Sequence, residues 1–228
     1  MDLGSQYAGI GALADDTRRA LYDYVVSQPD PVGREQAAAA LGIAQHNVNH
    51  HLDRLVAEGL LEVEYRRLSG KSGPGAGRPS KLYRRADREF TVSLPPRRYD
   101  LVGDILAAAV SRTAEGQALE DALHEVALEE GRDVGSAATG VDPAHPLAAM
   151  AQVLAGQGYE PQVEAEVVVL SNCPFDALAK KHTDLVCGLN RDFVQGVAEG
   201  MGCGEVTACL EPEPDQCCVK ARAQGSAL

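Results

Sequence analysis

The 228-residue sequence predicts an α+β protein with an N-terminal helical domain that ends in a β-hairpin, a helical linker and a small α+β C-terminal domain. Three observations support this fold class. Apolar residues recur at helical spacing between glycine stops over residues 15–60, a Gly/Ser/Pro-rich loop separates two short strand patterns, and short helix and strand patterns follow one another from residue 147 onward. In that last part we expect a strand over 163–170, a helix over 174–182 and a closing antiparallel pair formed by 205–210 and 217–223. The domains that we expect are 1–95, 96–140 and 141–228.

Residues 33–65 predict a helix, a tight turn, a second helix and a strand. An alanine-rich helix from Arg34 stops at Gly42, and Gly59 can adopt the left-handed conformation that ends the second helix. The second helix has one apolar face, at spacing i, i+4 and i+7, formed by Val48, Leu52 and Leu55. This order of elements predicts a helix-turn-helix followed by an extended segment over 61–68.

The exposed side of the second helix carries short polar side chains, which are Gln45, His46, Asn47, Asn49 and His50. Amide side chains can pair with adenine edges, and a helix presents them well from its first turns when it enters the major groove of DNA. We therefore predict that this helix reads bases. The alternative is the ordinary polar face of a surface helix.

The loop SGKSGPGAGRPS lies between two short strand patterns and predicts a β-hairpin of the kind called a wing. Eight cations lie on or beside the hairpin: Arg66, Arg67, Lys71, Arg78, Lys81, Arg84, Arg85 and Arg88. Cationic loops suit DNA because neutralising phosphates releases counterions. We predict phosphate contacts from Arg66, Lys71, Arg78 and Lys81. A solvated linker is the alternative reading.

The net charge of −12 would oppose binding to DNA if it were spread evenly over the chain. It is segregated instead. Residues 1–100 hold 14 Lys+Arg and 13 Asp+Glu, whereas residues 101–228 hold 7 and 20. Only the first part of the chain is therefore suited to approach a phosphate backbone.

The sequence also indicates the cellular compartment of the protein and whether it carries enzyme motifs. No apolar run reaches the roughly 18 residues that span a bilayer, and the N-terminus lacks a signal-peptide pattern, so we expect a cytoplasmic protein. The motifs GxGxxG, GxxxxGK[ST] and GxSxG are absent, which predicts that the chain is not an enzyme. A thiol oxidoreductase using Cys217 and Cys218 is the enzymatic alternative, although adjacent cysteines are a poor redox pair.

Five of the six cysteines lie at the joints of predicted elements: Cys173, Cys187, Cys203, Cys217 and Cys218. The sixth, Cys209, lies inside a strand pattern and suits a core position. No CxxC pair occurs, which disfavours a zinc ribbon or a ferredoxin-type site. Reduced thiols from separate elements can still converge into a site for a thiophilic metal.

The segments DTRR, HLDRLVAEGLLEVEYRR and GRPSKLYRR resemble the winged helix-turn-helix transcriptional regulators related to the ArsR type. Together with the widely spaced cysteines, they resemble the SufR-like iron-sulfur-sensing branch. That resemblance implies a repressor of a cluster-assembly operon that binds an iron-sulfur cluster, with 4Fe-4S as one form. The implied ligands are Cys173, Cys187, Cys203 and one of Cys217 and Cys218. The first gaps between these cysteines differ from the SufR-like pattern by a residue or two.

We expect a homodimer that binds a double-stranded operator. The long helical stretch 99–130 has apolar faces, and two copies on a two-fold axis can read two half-sites. A bound cluster would join the cysteine loops into one body, and its loss would free them and change the spacing of the two wings. A helix that only covers its own domain remains an alternative, as do zinc, a thiol switch or a small organic effector in place of the cluster.

Overall fold

The computed structural model describes residues 3–67, 79–140, 142 and 144–223, and the chain divides between Val92 and Ser93 into two units. In the first unit, the described residues form four helices and an antiparallel sheet of order β1-β3-β2. The elements are α1 (Leu3–Ala12), α2 (Asp16–Ser27), β1 (Val32–Gly33), α3 (Arg34–Leu41), α4 (Gln45–Ala57), β2 (Leu61–Arg66) and β3 (Ser80–Arg85).

Local sequence signals set the helix ends in the first unit. The Asp15 carboxylate caps α2 by accepting a hydrogen bond from the backbone N–H of Arg18 at 2.9 Å. Gly42 ends α3 with φ of 66°, and Gly59 follows α4 with φ of 75°. The predicted helix-turn-helix is confirmed, and β2 pairs with β3 as the predicted hairpin.

The core of the first unit contains the predicted apolar face of α4, together with Leu21 and Val25 of α2. Two further core residues come from the sheet. Val32 of β1 lies opposite Tyr83 of β3, and both are buried. β1 follows a Pro-Asp-Pro turn and has only two residues, so the sequence pattern did not predict it.

The second unit contains the remaining elements and an antiparallel sheet of order β4-β5-β7-β6. These elements are α5 (Tyr99–Ala114), α6 (Leu119–Ser136), α7 (Pro146–Gly156), β4 (Pro161–Glu164), β5 (Val167–Leu170), α8 (Asp176–Ala179), α9 (Thr183–Gly200), β6 (Val206–Leu210) and β7 (Val219–Ala223). The predicted α+β class and the predicted pairing of the last two strands are both present.

The helices of the predicted linker, residues 96–140, belong to the core of the second unit. Ile105 of α5 and Val126 of α6 are buried in one cluster with Phe193 of α9. We predicted a linker because no nearby sequence pattern supplies a helix that covers α5 and α6. The helix that covers them, α9, begins more than 40 residues after α6 ends. Short-range periodicity carries no information about such a distant partner.

Two predicted elements near the cysteines differ from the structure. The expected single strand over 163–170 is a hairpin, since β4 and β5 pair on either side of Ala165, which has φ of 50°. A turn at Ala-Glu without Gly, Asn or Asp gives no ordinary turn signal. The expected helix over 174–182 is reduced to the four residues of α8.

Helices α6 and α9 are in backbone contact through four glycines. A Cβ added to Gly131 would lie 2.1 Å from the Phe193 carbonyl oxygen, and one added to Gly196 would lie 2.2 Å from the Leu128 carbonyl oxygen. Gly135 and Gly200, one turn further along each helix, are equally constrained. Glycine is required here by the close approach of two backbones, so this contact fixes the position of α9 in the unit.

Gly196→Ala should lower the free energy of unfolding by about 1–3 kcal/mol, because the added methyl group meets backbone that cannot move aside. Gly188→Ala is the matched control on the same helix, since a Cβ there has no neighbour within 4 Å. The control should be neutral or more stable by up to about 1 kcal/mol, because alanine favours a helix over glycine. Urea denaturation under reducing conditions measures both, and equal effects would contradict the backbone contact.

Candidate functional site

The outer face of α4 presents the predicted base-reading side chains to different extents. His46, Asn47 and His50 are exposed, while Asn49 is half-buried at the edge of the face. Gln45 is exposed, and its Nε2 donates to Glu35 Oε1 of α3 at 3.3 Å. Because Val48, Leu52 and Leu55 form the buried apolar face of α4 on the opposite side, the outer face is available to a groove of DNA.

Several of the eight cations on or beside the hairpin lie beside carboxylates, including the predicted phosphate contacts Arg66 and Lys81. Arg66 Nε is 2.8 Å from Glu64 Oε1, Arg84 Nη2 is 2.7 Å from Glu62 Oε1, and Lys81 pairs with Asp53. Arg67 and Arg85 make no ion pair with any described residue. Lys71 and Arg78 lie outside the described residues. The sequence missed this internal pairing because the carboxylates lie on the neighbouring strand, on α4 or two positions away.

A polar cluster joins the predicted recognition helix to the wing. Asp53 of α4 accepts hydrogen bonds from Lys81 Nζ and, at 3.0 Å, from Tyr83 Oη, both on β3. Lys81 Nζ also lies 5.1 Å from the centroid of the Tyr83 ring. Partial burial raises the pKa of Asp53, but the hydrogen bonds from Lys81 and Tyr83 outweigh it and hold the pKa below its usual value. Lys81 therefore orients α4 against the hairpin.

In the second unit, four cysteine side chains from three places in the chain come together. Cys173 follows β5, Cys187 lies in the second turn of α9, and Cys217 and Cys218 directly precede β7. The thiols of Cys173 and Cys217 lie close to each other, and so do those of Cys187 and Cys218. Cys187 also lies close enough to Cys173 for their charges to interact. We call these four residues the thiol cluster.

The other cysteines lie elsewhere in the second unit. Cys203 comes after the C-terminal end of α9, whereas Cys187 is near its start, so most of this 18-residue helix, about 20 Å, separates them. The register agrees, because Leu210 lies opposite Val219 at the end of β7 nearest the thiol cluster, and Val206 lies opposite Ala223 at the far end. The structure thus brings together the predicted ligands except Cys203. Cys209 lies in β6, as predicted, but it is partly exposed and does not belong to the core that we expected it to join.

The two thiol pairs differ in how they hold protons. The hydrogen bond from Cys217 lowers the pKa of Cys173, and the backbone N–H of Phe175 and the nearby Arg97 guanidinium lower it further. The same contact, together with burial, raises the pKa of Cys217. Burial, followed by the contact with Cys218, raises the pKa of Cys187 to about 12. In the first pair, Cys173 therefore loses its proton more readily than Cys217.

Two buried polar side chains support the thiol cluster. Asn190 of α9 donates from Nδ2 to Cys217 Sγ at 3.2 Å, and its Oδ1 accepts a hydrogen bond from Tyr159 Oη. Asn190 is 1% exposed and Tyr159 is 3% exposed, so this network excludes water from one side of the sulfur atoms. Neither residue was predicted from the sequence.

The donor set of the thiol cluster is sulfur alone. Soft thiolate ligands select thiophilic metals such as zinc and iron in iron-sulfur clusters. Within the described ranges, no group of three or more Cys, His, Asp or Glu side chains has an arrangement that would hold one metal ion. The cysteines lie near each other as two pairs, so the chemistry of the donors suits a thiolate-bound centre although the sulfurs do not form a single-ion site.

A family model described as a helix-turn-helix domain matches residues 13–64. These residues run from just after α1 into β2, so the match contains the whole helix-turn-helix and the first four residues of β2. No curated protein and no solved structure matches the chain. The first unit contains a helix-turn-helix domain, which supports a DNA-binding transcriptional regulator. In the part of the chain that the structure describes, no helix has the length and apolar character needed to cross a membrane.

Asp53→Asn should lower the free energy of unfolding at pH 7 by less than about 1 kcal/mol, because the ion pair with Lys81 is exposed and screened. The lowered pKa of Asp53 means that its carboxylate stabilises the fold above the unfolded pKa of about 3.9. This contribution is lost as the pH falls through the folded pKa. The difference between wild type and variant should therefore shrink below about pH 4.

Urea denaturation from pH 7 to about pH 3 measures this difference. Asp23→Asn is the control, since Asp23 is exposed on α2 and pairs with no described cation. The control should change stability little at any pH. A loss in Asp53→Asn that stays constant down to pH 3 would show that the effect comes from packing and not from the carboxylate charge.

Proposed function

We propose that this transcriptional regulator holds an iron-sulfur cluster through Cys173, Cys187, Cys217 and Cys218, that the state of the cluster controls its affinity for DNA, and that it acts as a repressor. One observation carries the proposal: four thiols from three separate segments meet in the unit that does not contain the helix-turn-helix. The thiol cluster lies outside the helix-turn-helix unit and has no role in DNA contact. It suits a sensor instead.

The surroundings of the sulfurs favour a cluster. Iron-sulfur clusters are held by cysteine thiolates, and hydrogen bonds to sulfur and low solvent exposure tune their potential. The Asn190 side chain supplies such a hydrogen bond to Cys217, and it is oriented in turn by Tyr159. When bound, the cluster would supply an oxygen- and iron-sensitive link between the cysteine segments.

Most of the segments that carry the four cysteines are attached to well-packed elements. The backbone N–H of Cys217 donates to the Leu170 carbonyl oxygen at 2.8 Å, so the residue before β7 is tied to the end of β5. Cys187 lies on α9, which the glycine contact with α6 fixes in the core. Three of the four thiols, those of Cys187, Cys217 and Cys218, therefore sit on or beside well-packed elements. Cys173 lies on the loop between β5 and α8.

A homodimer is part of the proposal. A single helix-turn-helix gains specificity when two copies read two half-sites related by a two-fold axis. Apolar side chains on the outer face of α5 support a contact with a second copy, since Tyr99 is 40% exposed and Val110 is 61% exposed. α5 directly follows the segment that leaves the DNA-binding unit.

A second candidate is a thiol switch without a metal. The closeness of Cys173 and Cys217 favours it, because two neighbouring thiols, one of them with a lowered pKa, can form a disulfide when they are oxidised. In that reaction a peroxide takes up two electrons and the two thiol protons, and one S–S bond forms. Zinc and a small organic effector remain further alternatives for the same unit.

Anaerobic reconstitution with ferrous iron and sulfide tests the cluster. Wild-type protein should gain broad visible absorption near roughly 400 nm together with bound iron and sulfide. Cys173→Ser, Cys187→Ser and Cys218→Ser should each lose most of this absorption. Cys203→Ser is the matched control and should keep it, because Cys203 follows the far end of α9.

Each other outcome has a definite meaning. Wild-type protein that stays colourless and free of iron would remove the cluster from the proposal. A colourless protein whose Cys173 and Cys217 become disulfide-bonded after treatment with peroxide would favour the thiol switch. Loss of the cluster in Cys203→Ser would instead return that residue to the ligand set that the sequence predicted.

DNA binding tests the base-reading face of α4. On a duplex selected from a random library, Asn49→Ala and His50→Ala should each weaken binding by about tenfold, with much smaller losses on random DNA. Arg78→Ala, which the sequence predicts to lose a phosphate contact, should weaken binding to both and reduce the salt slope by about one. Fluorescence anisotropy measures these affinities, and the titration should saturate at two chains per duplex.

Gln152→Ala is the control for this experiment, because Gln152 is an exposed amide on α7 in the other unit. It should leave binding to both duplexes unchanged. Equal losses on selected and random DNA for Asn49→Ala would remove Asn49 from the base-reading set. Saturation at one chain per duplex would contradict the homodimer.

A further inference from the structure

The first residues of the second unit, Ser93 to Arg98, are bonded to the loop that carries Cys173. Arg97 Nη1 donates to Asn172 Oδ1 at 2.6 Å and to the Cys173 carbonyl oxygen at 3.2 Å. These residues follow directly in the chain after the DNA-binding unit, which ends at Val92. We call Ser93–Arg98 the connecting segment.

Asn172 completes the contact from the other side. Its Nδ2 donates to the Pro96 carbonyl oxygen at 3.2 Å and to the Gly158 carbonyl oxygen at 2.6 Å. Asn172 is 7% exposed, so each of these polar atoms would be costly to leave without a partner. The residue immediately before Cys173 therefore binds the connecting segment with both ends of its amide.

Two more hydrogen bonds hold the connecting segment in place. The backbone N–H of Arg98 donates to the Pro174 carbonyl oxygen at 3.1 Å, on the other side of Cys173. The backbone N–H of Arg97 donates to Ser93 Oγ at 2.7 Å. The residues on both sides of Cys173 are thus bonded to the segment that leads into the first unit.

We propose that Arg97 and Asn172 couple the state of the Cys173 thiol to the connecting segment, and that this coupling is how the thiol cluster controls DNA binding. The inference rests on the proposed function. It adds the positioning residues through which a change at the sulfur reaches the residues next to the DNA-binding unit. Neither Arg97 nor Asn172 contributes a sulfur ligand, and both lie outside the predicted sites.

The physical basis is that one short loop carries both the Cys173 sulfur and the polar groups that bind the connecting segment. A bond at Cys173 Sγ restrains residues 172–174, whose polar groups accept from and donate to the connecting segment. When the sulfur is free, the loop gains conformations that break the bonds to Arg97, and the connecting segment is released with it. Because the coupling is reciprocal, DNA that favours one arrangement of the segment must also change the affinity for the group at Cys173.

Hydrogen exchange on the wild-type full chain is the first test. The backbone amides of Arg97 and Arg98 should exchange at least about tenfold more slowly after anaerobic reconstitution with ferrous iron and sulfide than in the metal-free, reduced protein. Amides in the interior of α6 serve as the internal control and should change less. Equal exchange of the Arg97 and Arg98 amides in a fully loaded sample would overturn the inference and leave the proposed function intact.

A pair of matched variants provides the second test. Arg97→Gln removes the fork that binds Asn172 and Cys173, whereas Arg112→Gln removes an arginine that joins α5 to Glu125 and Glu129 of α6. In the wild type, loading should change the Kd for the selected duplex on the order of tenfold. That ratio should fall toward one in Arg97→Gln and stay within about twofold of the wild type in Arg112→Gln.

The outcomes separate the two ideas. Arg97→Gln that binds iron and sulfide fully and keeps the wild-type Kd ratio would overturn the coupling. If Arg97→Gln fails to load, the exchange of the wild-type amides decides. Wild-type protein that takes up no iron and sulfide would overturn the proposed function and the inference together.

Discussion

The backbone contact between α6 and α9 is the constraint on which the second unit depends. Gly131 and Gly196 let the two helices approach until the Cα of one nearly touches the carbonyl groups of the other. α9 then has one permitted position, and with it the places of Cys187 and Asn190 are set. The thiol cluster is therefore built on a packing contact that contains no sulfur and no charge.

Polar contacts in each unit join elements that are distant in the sequence. In the first unit, Asp53 binds Lys81 and Tyr83 and so joins α4 to the β2–β3 hairpin. In the second unit, Arg97 and Asn172 relate the cysteine loop to the connecting segment. Both sets of contacts are made largely by charged or polar side chains, which the sequence alone would place on the surface. One set of contacts orients α4, and the other orients the connecting segment.

Local signals explain which parts of the fold were predictable. The N-cap at Asp15, the left-handed stops at Gly42 and Gly59 and the apolar face of α4 depend on residues within a few positions of each other. The helical linker was not predictable as part of a core, because its partner α9 follows much later in the chain. The strand predicted over 163–170 became a hairpin because its turn uses residues without the usual turn preference.

Local sequence patterns were sufficient to predict the helix-turn-helix, the hairpin beside it and the placing of cysteines at the joints of elements. Helix periodicity, capping and turn chemistry are properties of neighbouring residues, so one chain is enough to reveal them. Which thiols meet depends instead on contacts between distant parts of the chain. α9 separates Cys187 from Cys203 by most of its length, while antiparallel pairing with β6 and β5 places Cys217 and Cys218 at the end of the sheet near Cys173. The spacing of cysteines along the chain does not show which sulfur atoms come together. Their separations in the fold are set by the rise of a helix and the register of a sheet.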